Sequence, residues 1–304
     1  MRFALSTNWN SHRHITADGM FDEIKALGFD AVELGYGATQ TQLDGIRKWT
    51  DSGAIKITSV HAFCPNIVVG ASGPEVFSLC DPDDFKRGKK GISAAKRCAE
   101  FAASIGAKTV VTHAGRVPIF RHIRALAAIA AKGLLNTTKH EKQMLKIIAK
   151  RDKKSEKHLA TLYESLEEVL PDYAAFGVTL ALENLPTYDT IPNETEMADL
   201  LREFNDMPLR YWHDFGHGQI RQNYGFIHHR SIVSGFRNNI AGFHIHDVVF
   251  PDDDHQAPSA TGTVDFKILK DFIASDIPLV LEPSRHIDAT AIANGVAYLS
   301  QITR

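Results

Sequence analysis

Short apolar, β-branched runs alternate along this chain with longer amphipathic stretches. Regular alternation of these two kinds of segment is typical of βαβ units and of a parallel sheet. Eight runs are predicted as strands, at Phe3–Ser6, Ala31–Leu34, Ile55–His61, Thr109–His113, Thr179–Glu183, Leu209–Asp214, Gly242–His246 and Leu279–Glu282. Eight consecutive β/α units predict an α/β fold, a (β/α)8 TIM barrel, with residues 1–304 forming a single domain.

The stretches between these runs carry apolar residues at helical spacing. They predict helices at Asp18–Leu27, Asp83–Ile105, Leu159–Phe176, Glu194–Phe204 and Ala289–Thr303. Asn193, with Glu196 three residues later, has the pattern of a capping box at one helix start. Gly28, Gly106 and Gly177 each follow a predicted helix, where glycine commonly ends the helical turn.

The fourth β/α unit is longer than a barrel connection requires. Without residues 118–165 the chain would have 256 residues, close to the roughly 250 of a typical barrel. We therefore interpret residues 118–165 as a helical insertion within the single domain. From Pro118 to His158, eleven Lys and Arg stand against three Asp and Glu. The loop after the fourth strand opens on the catalytic face, so this segment is either a solvated surface or a basic lid over an anionic substrate.

Composition narrows the classes of function further. The 304 residues include 34 Lys and Arg against 36 Asp and Glu, so the whole chain shows no charge signal for nucleic acid or an anionic membrane. Three separated cysteines form neither a disulfide framework nor a CxxC pair. No apolar window suits a signal peptide or a membrane span, and we expect a cytoplasmic protein. No P-loop or GxGxxG signature is present, so no nucleotide cofactor is expected.

Histidine and acidic residues end most of the predicted strands from the third onward. These residues are His61, His113, Glu183, Asp214, His244 and Glu282. In a TIM barrel the carboxyl ends of the strands converge on the active site, so residues far apart in sequence become neighbours there. Carboxylate oxygens mixed with imidazole nitrogens suit Mn, Co, Mg or Zn. The pattern therefore predicts a divalent-metal site, in keeping with the unusual count of 15 histidines.

Four short motifs carry a family resemblance. They are Ala181-Leu-Glu-Asn184, His213-Asp-Phe-Gly-His217, Phe243-His-Ile-His-Asp247 and Val280-Leu-Glu-Pro283. In this order they resemble the metal-site motifs of the xylose isomerase-like TIM barrels, which include sugar isomerases, sugar epimerases and endonuclease IV-type AP endonucleases. The resemblance implies metal ligands at Glu183, Asp214, His244 and Glu282. It also implies that His217 binds substrate or a second metal.

Other histidines are harder to assign. His244 and His246 are two residues apart on one strand, so both side chains can face inward. We prefer His244 as the ligand, because the family pattern places an acidic or amide-rich stretch just after the ligand and Asp247 stands there. His213, His228 and His229 match no motif role, and we interpret them as structural or surface residues.

The first hypothesis for function is a metal-dependent isomerase or epimerase of a sugar or sugar phosphate. A divalent ion would polarise a carbonyl and its neighbouring hydroxyl while a carboxylate removes the adjacent proton, giving an enediolate. By the resemblance, Glu183 and Glu282 would serve as base and acid. Ketose epimerases carry an Arg six residues after the histidine ligand, and Phe250 stands there instead. The sequence is compatible with a homo-oligomer.

The alternative hypothesis is a trinuclear zinc phosphodiesterase like the AP endonucleases. Val60-His-Ala-Phe63, Thr112-His-Ala-Gly115 and Asp253-Asp-His255 resemble further ligand motifs of those enzymes. His61, His113, His246, Asp253 and His255 are therefore candidates, with His217, for substrate binding or a second metal. We do not expect a nucleic-acid partner, because the basic charge is concentrated in one segment and Cys64 stands where such enzymes have Tyr.

Overall fold

The predicted strands lie side by side and close a parallel barrel, as seen in a computed structural model that describes residues 2–65 and 73–304. Within that part of the chain the strands are β1 (Ala4–Ser6), β2 (Ala31–Leu34), β3 (Lys56–His61), β4 (Thr109–Thr112), β5 (Gly115–Arg116), β6 (Thr179–Glu183), β7 (Thr190–Ile191), β8 (Leu209–Asp214), β9 (Ile240–Ile245), β10 (Asp247–Val249), β11 (Asp253–Gln256) and β12 (Leu279–Leu281). The barrel order is β1, β2, β3, β4, β6, β8, β9, β12, and β12 pairs with β1 to close it. The (β/α)8 prediction is confirmed.

Helices surround this barrel. They are α1 (Ala17–Ala26), α2 (Gln40–Asp51), α3 (Pro82–Arg87), α4 (Lys90–Ser104), α5 (Phe120–Ala130), α6 (Thr138–Phe176), α7 (Glu194–Glu203), α8 (Phe215–Asn223), α9 (His229–Gly235) and α10 (Ala289–Ile302). Short 3-10 segments lie at Thr7–Trp9, Ser11–Arg13 and Phe266–Asp271. No helix among the described residues is long and apolar enough to cross a membrane.

The core has two parts that follow from the alternation of side chains along each strand. A small cluster around Trp212 contains Ala4, Val111, Ala181 and Val280, each from a different barrel strand. A much larger apolar cluster contains most of the other buried side chains of strands and helices. Polar side chains at the carboxyl ends of the strands are thus held on a rigid, close-packed support.

Helix ends agree with the sequence in some places and correct it in others. The Asn193 and Glu196 side chains form the predicted capping box of α7, and Gly177 ends α6 with a φ of 63°. The single helix predicted at 83–105 is wrong, because it divides into α3 and α4. The chain reverses there through Gly88, with a φ of 137°, and Lys89, with a φ of 54°.

The segment at 118–165 is helical, but residue 165 is not a structural boundary. The helix α6 runs without a break for 39 residues, and it includes the separate helix predicted at Leu159–Phe176. The preceding helix, α5, packs against α6 as the other half of a helical hairpin. An insertion here would therefore lengthen a barrel helix instead of forming a separate unit.

One member of the basic segment is buried instead of facing solvent. Arg151 is only 1% exposed. Its guanidinium donates to both carboxylate oxygens of Glu196, at 2.8 and 2.5 Å, and to the Thr190 carbonyl oxygen. Lys146, Lys150, Lys153 and Lys154 are exposed. Arg151 therefore joins α6 to β7 and to the first turn of α7, and it is not part of a basic lid.

We predict that Arg151→Met lowers the free energy of unfolding by about 3 kcal/mol, because the change leaves the Glu196 carboxylate and the Thr190 carbonyl without their buried partner. Lys150→Met is the matched control, since Lys150 is the exposed neighbour on the same helix, and its effect should stay within about 0.5 kcal/mol. Urea denaturation measures both variants. Equal stabilities of the two variants would show that the Arg151 contacts do not hold α6 in place.

Candidate active site

Four buried side chains meet at the carboxyl end of the barrel. Glu183 ends β6, Asp214 ends β8, His244 lies on β9 and Glu282 follows β12. One ligand atom from each lies within 4.8 Å of those from the other three. The structure therefore brings together the four residues that the family resemblance implies as metal ligands.

The imidazole of His244 lies at the centre of this group. Its Nδ1 atom is 3.1 Å from Glu183 Oε1, 3.1 Å from Glu282 Oε2 and 3.8 Å from Asp214 Oδ2. Asp214 is also the N-cap of α8, and its Oδ1 accepts from the His217 backbone N–H at 2.6 Å. The local fold thus fixes the carboxylate before any ligand binds.

The charge of this group favours a cation. Burial alone would raise the pKa of Glu183, but His244 and His113 nearby lower that pKa well below its usual value. Neighbouring histidines also outweigh burial at Asp214 and Glu282 and bring both pKa values below their usual range. Three ionised carboxylates in a low-dielectric site require positive charge, which protonated histidines supply here and a metal ion would supply in their place. The Oε2 atom of Glu183 is buried and accepts no hydrogen bond among the described residues. This free oxygen and the mixed oxygen and nitrogen donors fit a divalent metal ion.

Sequence reasoning missed Glu33, a fourth carboxylate at the centre of this site. Glu33 lies on β2 and is fully buried. Its oxygens are 2.9 and 3.1 Å from His244 Nε2, and Oε2 also accepts from Ser59 Oγ at 2.7 Å. The only signal was a single Glu within the otherwise apolar run Ala31-Val-Glu-Leu34.

Glu33 determines which His244 nitrogen is available for a metal. An ionised carboxylate can only accept, so His244 donates from Nε2 to Glu33 and, without a metal, from Nδ1 to Glu183. Burial lowers the pKa of this imidazole, but the surrounding carboxylates raise it well above its usual value. A metal ion at Nδ1 would replace the proton there, and Glu33 would keep the proton on Nε2. A carboxylate that holds the far nitrogen of a ligand histidine is the usual support for a metal site.

The choice between His244 and His246 also follows from hydrogen bonding. His246 Nδ1 accepts from the His255 backbone N–H at 2.9 Å, which leaves the proton on Nε2. That Nε2 lies 2.9 Å from Asp214 Oδ2 and donates to it. Both nitrogens of His246 are therefore occupied, and His246 orients Asp214 instead of offering a lone pair. This geometry supports our preference for His244.

A second cluster consists of His61, His113 and Glu183. The Nδ1 of His61 donates to the Ala62 carbonyl oxygen at 2.9 Å. Burial lowers the pKa of His61, but Glu183 raises it above its usual value. The two Nε2 atoms of His61 and His113 lie 3.3 and 3.2 Å from Glu183 Oε2. The oxygen without a hydrogen bond therefore faces both histidines.

A third cluster consists of His217, His246 and His255. Nδ1 of His217 donates to the Asn184 carbonyl, and Nδ1 of His255 donates to the Glu282 carbonyl, each at 2.9 Å. Burial lowers the pKa of His217, but Asp214 and Glu183 raise it to about 9, so at pH 7 its Nε2 also carries a proton. Burial and His246 lower the pKa of His255, so its Nε2 offers a lone pair. A ligand that needs both nitrogens would have to displace the proton of His217.

The acidic residue nearest the third cluster is Asp254, whose Oδ2 lies 3.9 Å from His217 Nε2. Asp253 is exposed and lines the same cleft as Asp254 and Glu282. The role of Asp253 therefore stays a prediction. His255 follows with a φ of 53°, a break in the strand geometry that the sequence pattern does not reveal.

His213, His228 and His229 lie outside the ligand clusters. Tyr211 Oη and His229 Nε2 lie 2.9 and 2.8 Å from the two nitrogens of the buried His213. Burial lowers the pKa of His229 to about 4, so it is neutral at pH 7. His228 is exposed. These positions agree with structural and surface roles.

This chain is similar to one known protein family and to several solved structures. The family described as "Xylose isomerase-like TIM barrel" matches residues 21–302. Among curated proteins, no sequence matches this chain.

Several solved structures share the fold over nearly the whole chain. A D-tagatose 3-epimerase-like protein is 18% identical, with 100% of this chain and 98% of the other covered and a TM-score of 0.67. A 3-keto-D-glucoside 4-epimerase from E. coli is 17% identical, with 99% of each chain covered and a TM-score of 0.67. An L-ribulose 3-epimerase is 13% identical, with 99% and 94% covered and a TM-score of 0.68. Identities this low show a common fold alone.

We predict that Glu33→Gln weakens Mn²⁺ binding at this site by about 10- to 100-fold, because a neutral amide no longer fixes the proton of His244 on Nε2. Glu100→Gln, at an exposed position of α4, is the control with the same change of charge and should bind Mn²⁺ like the unaltered protein. Titration with Mn²⁺ followed by calorimetry measures both. Affinities within twofold of each other would contradict this role of Glu33.

Proposed function

Because the chain belongs to the xylose isomerase-like TIM barrel family, we propose that it is a divalent-metal-dependent isomerase or epimerase of sugars or sugar phosphates. The observation that carries the proposal is the buried group of Glu183, Asp214, His244 and Glu282. It combines a set of metal-ligand donors with two carboxylates from different strands. The solved epimerases that share the fold support the same class of reaction.

The cleft above this group has room for a sugar. It encloses about 790 Å³ and is lined by Asn8, Tyr36, His255, Glu282 and Arg285, among others. The pKa of Tyr36 is raised to about 12 by burial and by Glu282, so its hydroxyl stays protonated and can donate to a sugar oxygen. Asn8 Nδ2 donates to Glu282 Oε1 at 3.1 Å and orients that carboxylate towards the cleft.

The reaction requires one group to take a proton and another to return it. Glu183, Asp214, His244 and Glu282 would hold the metal ion, which would polarise the substrate carbonyl and its neighbouring hydroxyl. Burial raises the pKa of Glu282, but His244 and His255 bring it below its usual value, so this carboxylate is ionised and can act as a base. Two barrel strands, β8 and β9, lie between the strand of Glu183 and the strand that Glu282 follows. The two carboxylates can therefore serve opposite faces of one substrate carbon.

We predict that Glu183→Gln and Glu282→Gln each lower kcat by about 100-fold or more, because each removes a carboxylate that transfers a proton or holds the metal. The test is conversion of a panel of ketoses, aldoses and their phosphates in deuterated water with added Mn, Co or Mg. Deuterium should enter the carbon next to the carbonyl. Glu100→Gln is the control that should keep full activity.

Metal content of each variant separates the two reasons for lost activity. A variant that retains its metal but not its turnover has lost proton transfer alone. If either variant keeps more than about a tenth of the original rate, its carboxylate lowers the activation free energy by less than ~1.4 kcal/mol. That result would contradict the assignment of the carboxylate.

The second candidate function is a trinuclear zinc phosphodiesterase. The observation in its favour is that four overlapping groups of ligand type lie together among the described residues, with Glu183 shared by two of them. Against it, the basic side chains Lys146, Lys150, Lys153 and Lys154 are grouped on one helix and are not spread around the cleft to follow a phosphate backbone.

We predict one Mn, Co or Mg ion per chain in protein purified without chelators, since only the group around His244 joins three carboxylates to one histidine. Elemental analysis measures the ratio. About three zinc ions per chain, together with nicking of an oligonucleotide that contains one abasic site, would replace our proposal with the phosphodiesterase.

A further inference from the structure

A small apolar cavity lies beside the candidate active site. Its volume is about 150 Å³, and its wall includes Leu126 and Ala127 of α5, Tyr188 after β6, and Ile220, Tyr224 and Phe226 at the end of α8. No part of the isomerase mechanism uses it. A free sugar gains nothing from such a wall, because its hydroxyl groups would lose hydrogen bonds to water there.

The cavity adjoins the catalytic cleft through two features. On α8, His217, Ile220 and Tyr224 are spaced by three and four residues, so they lie on one helical face. Ile220 is thus less than one turn, about 5 Å, from the third histidine cluster. Asp254 lines both this cavity and the larger cleft that contains Glu282. The cavity and the cleft are therefore neighbours that share one wall residue.

The aromatic wall is held rigidly. Tyr188 and Phe226 stack with their ring centres 4.5 Å apart and their planes 8° from parallel. The guanidinium carbons of Arg221 and Arg151 lie 5.2 and 5.7 Å from the Tyr188 ring centre. The Tyr224 hydroxyl donates to Asp252 at 2.6 Å, so its polar group is satisfied away from a ligand. A wall that is already ordered costs little entropy when a ligand binds.

We propose that this cavity is a subsite for an apolar ring attached to the substrate. The inference rests on the proposed function and makes it narrower: the substrate is a sugar that carries an aromatic-sized group and not a free sugar. The volume supports this size, because an apolar cavity of about 150 Å³ in another protein accommodates benzene. The exposed ring of Phe120 lies three residues before Ile123, which also lines the cavity, and extends the same face of α5 towards solvent.

The first experiment tests the subsite without turnover. The probe is 4-fluorobenzyl alcohol, observed by fluorine NMR, and we expect saturable binding with a dissociation constant of about a millimolar. Ala127→Phe fills the cavity and should weaken binding at least tenfold. Ala128→Phe is the matched control, since Ala128 is the exposed next residue of α5, and it should leave binding unchanged. Ala127→Leu, a smaller filling change, gives the same test if the Phe variant does not fold.

The second experiment separates the subsite from the proposed function. Ketohexoses with a methyl or a phenyl ether at the O6 oxygen keep their carbonyl, and we expect at least tenfold higher kcat/KM for the phenyl form. Ala127→Phe should abolish that preference, and Ala128→Phe should retain it.

Each outcome decides one question. No saturable binding of the probe up to about 20 mM, or equal binding by the Ala127 and Ala128 variants, overturns the subsite. Turnover of free sugars without a phenyl preference also overturns it and leaves the proposed isomerase intact. Specific binding of the probe without turnover of any sugar retains the subsite and overturns the isomerase.

Discussion

Buried negative charge at one end of the barrel is the constraint on which the site depends. Glu33, Glu183, Asp214 and Glu282 surround a single imidazole, His244, in a space that water hardly reaches. Such a group is stable only when each oxygen has a hydrogen-bond donor or a cation nearby. Ser59, Asn8 and the His217 backbone N–H supply donors to three of the carboxylates. Glu183 directs Oε1 to His244 and Oε2, which accepts no hydrogen bond among the described residues, to His61 and His113.

Hydrogen bonds to the backbone give the surrounding histidines a common orientation. His61, His217 and His255 each direct Nδ1 to a carbonyl oxygen and leave Nε2 for the site. His244 is the exception, because the Glu33 carboxylate holds its Nε2 and Nδ1 faces the ligands. The protein thus fixes the orientation of these rings before a metal or substrate arrives. Preorganisation of this kind is what a metal site requires of the residues around it.

The barrel and most of its site could be predicted from the sequence for a clear physical reason. Parallel strands end at one face, so a residue at each strand end is placed by topology alone. Glu33 could not be recognised, because a single Glu in a strand also fits an ordinary surface position. The closer approach of Asp254 to His217 could not be predicted, because it depends on strand alternation and on the unusual φ of His255. The burial of Arg151 could not be predicted either, because it lies in a basic segment whose lysines are exposed. Its partners, Glu196 and the Thr190 carbonyl, are distant in sequence.

The helical hairpin of α5 and α6 links this rigid centre to the choice of substrate. One face of α5 contributes Ile123, Leu126 and Ala127 to the apolar cavity. The lysines of α6 remain in solvent, while its Arg151 anchors the hairpin and lies near the ring of Tyr188. The hairpin therefore contributes to substrate binding through the apolar face of α5 more than through the charged side chains of α6. Barrel enzymes keep catalytic groups on the strand ends and vary specificity through the segments between strands. Here the segment is α5, which lines the cavity, and the 39-residue helix α6 packs against it.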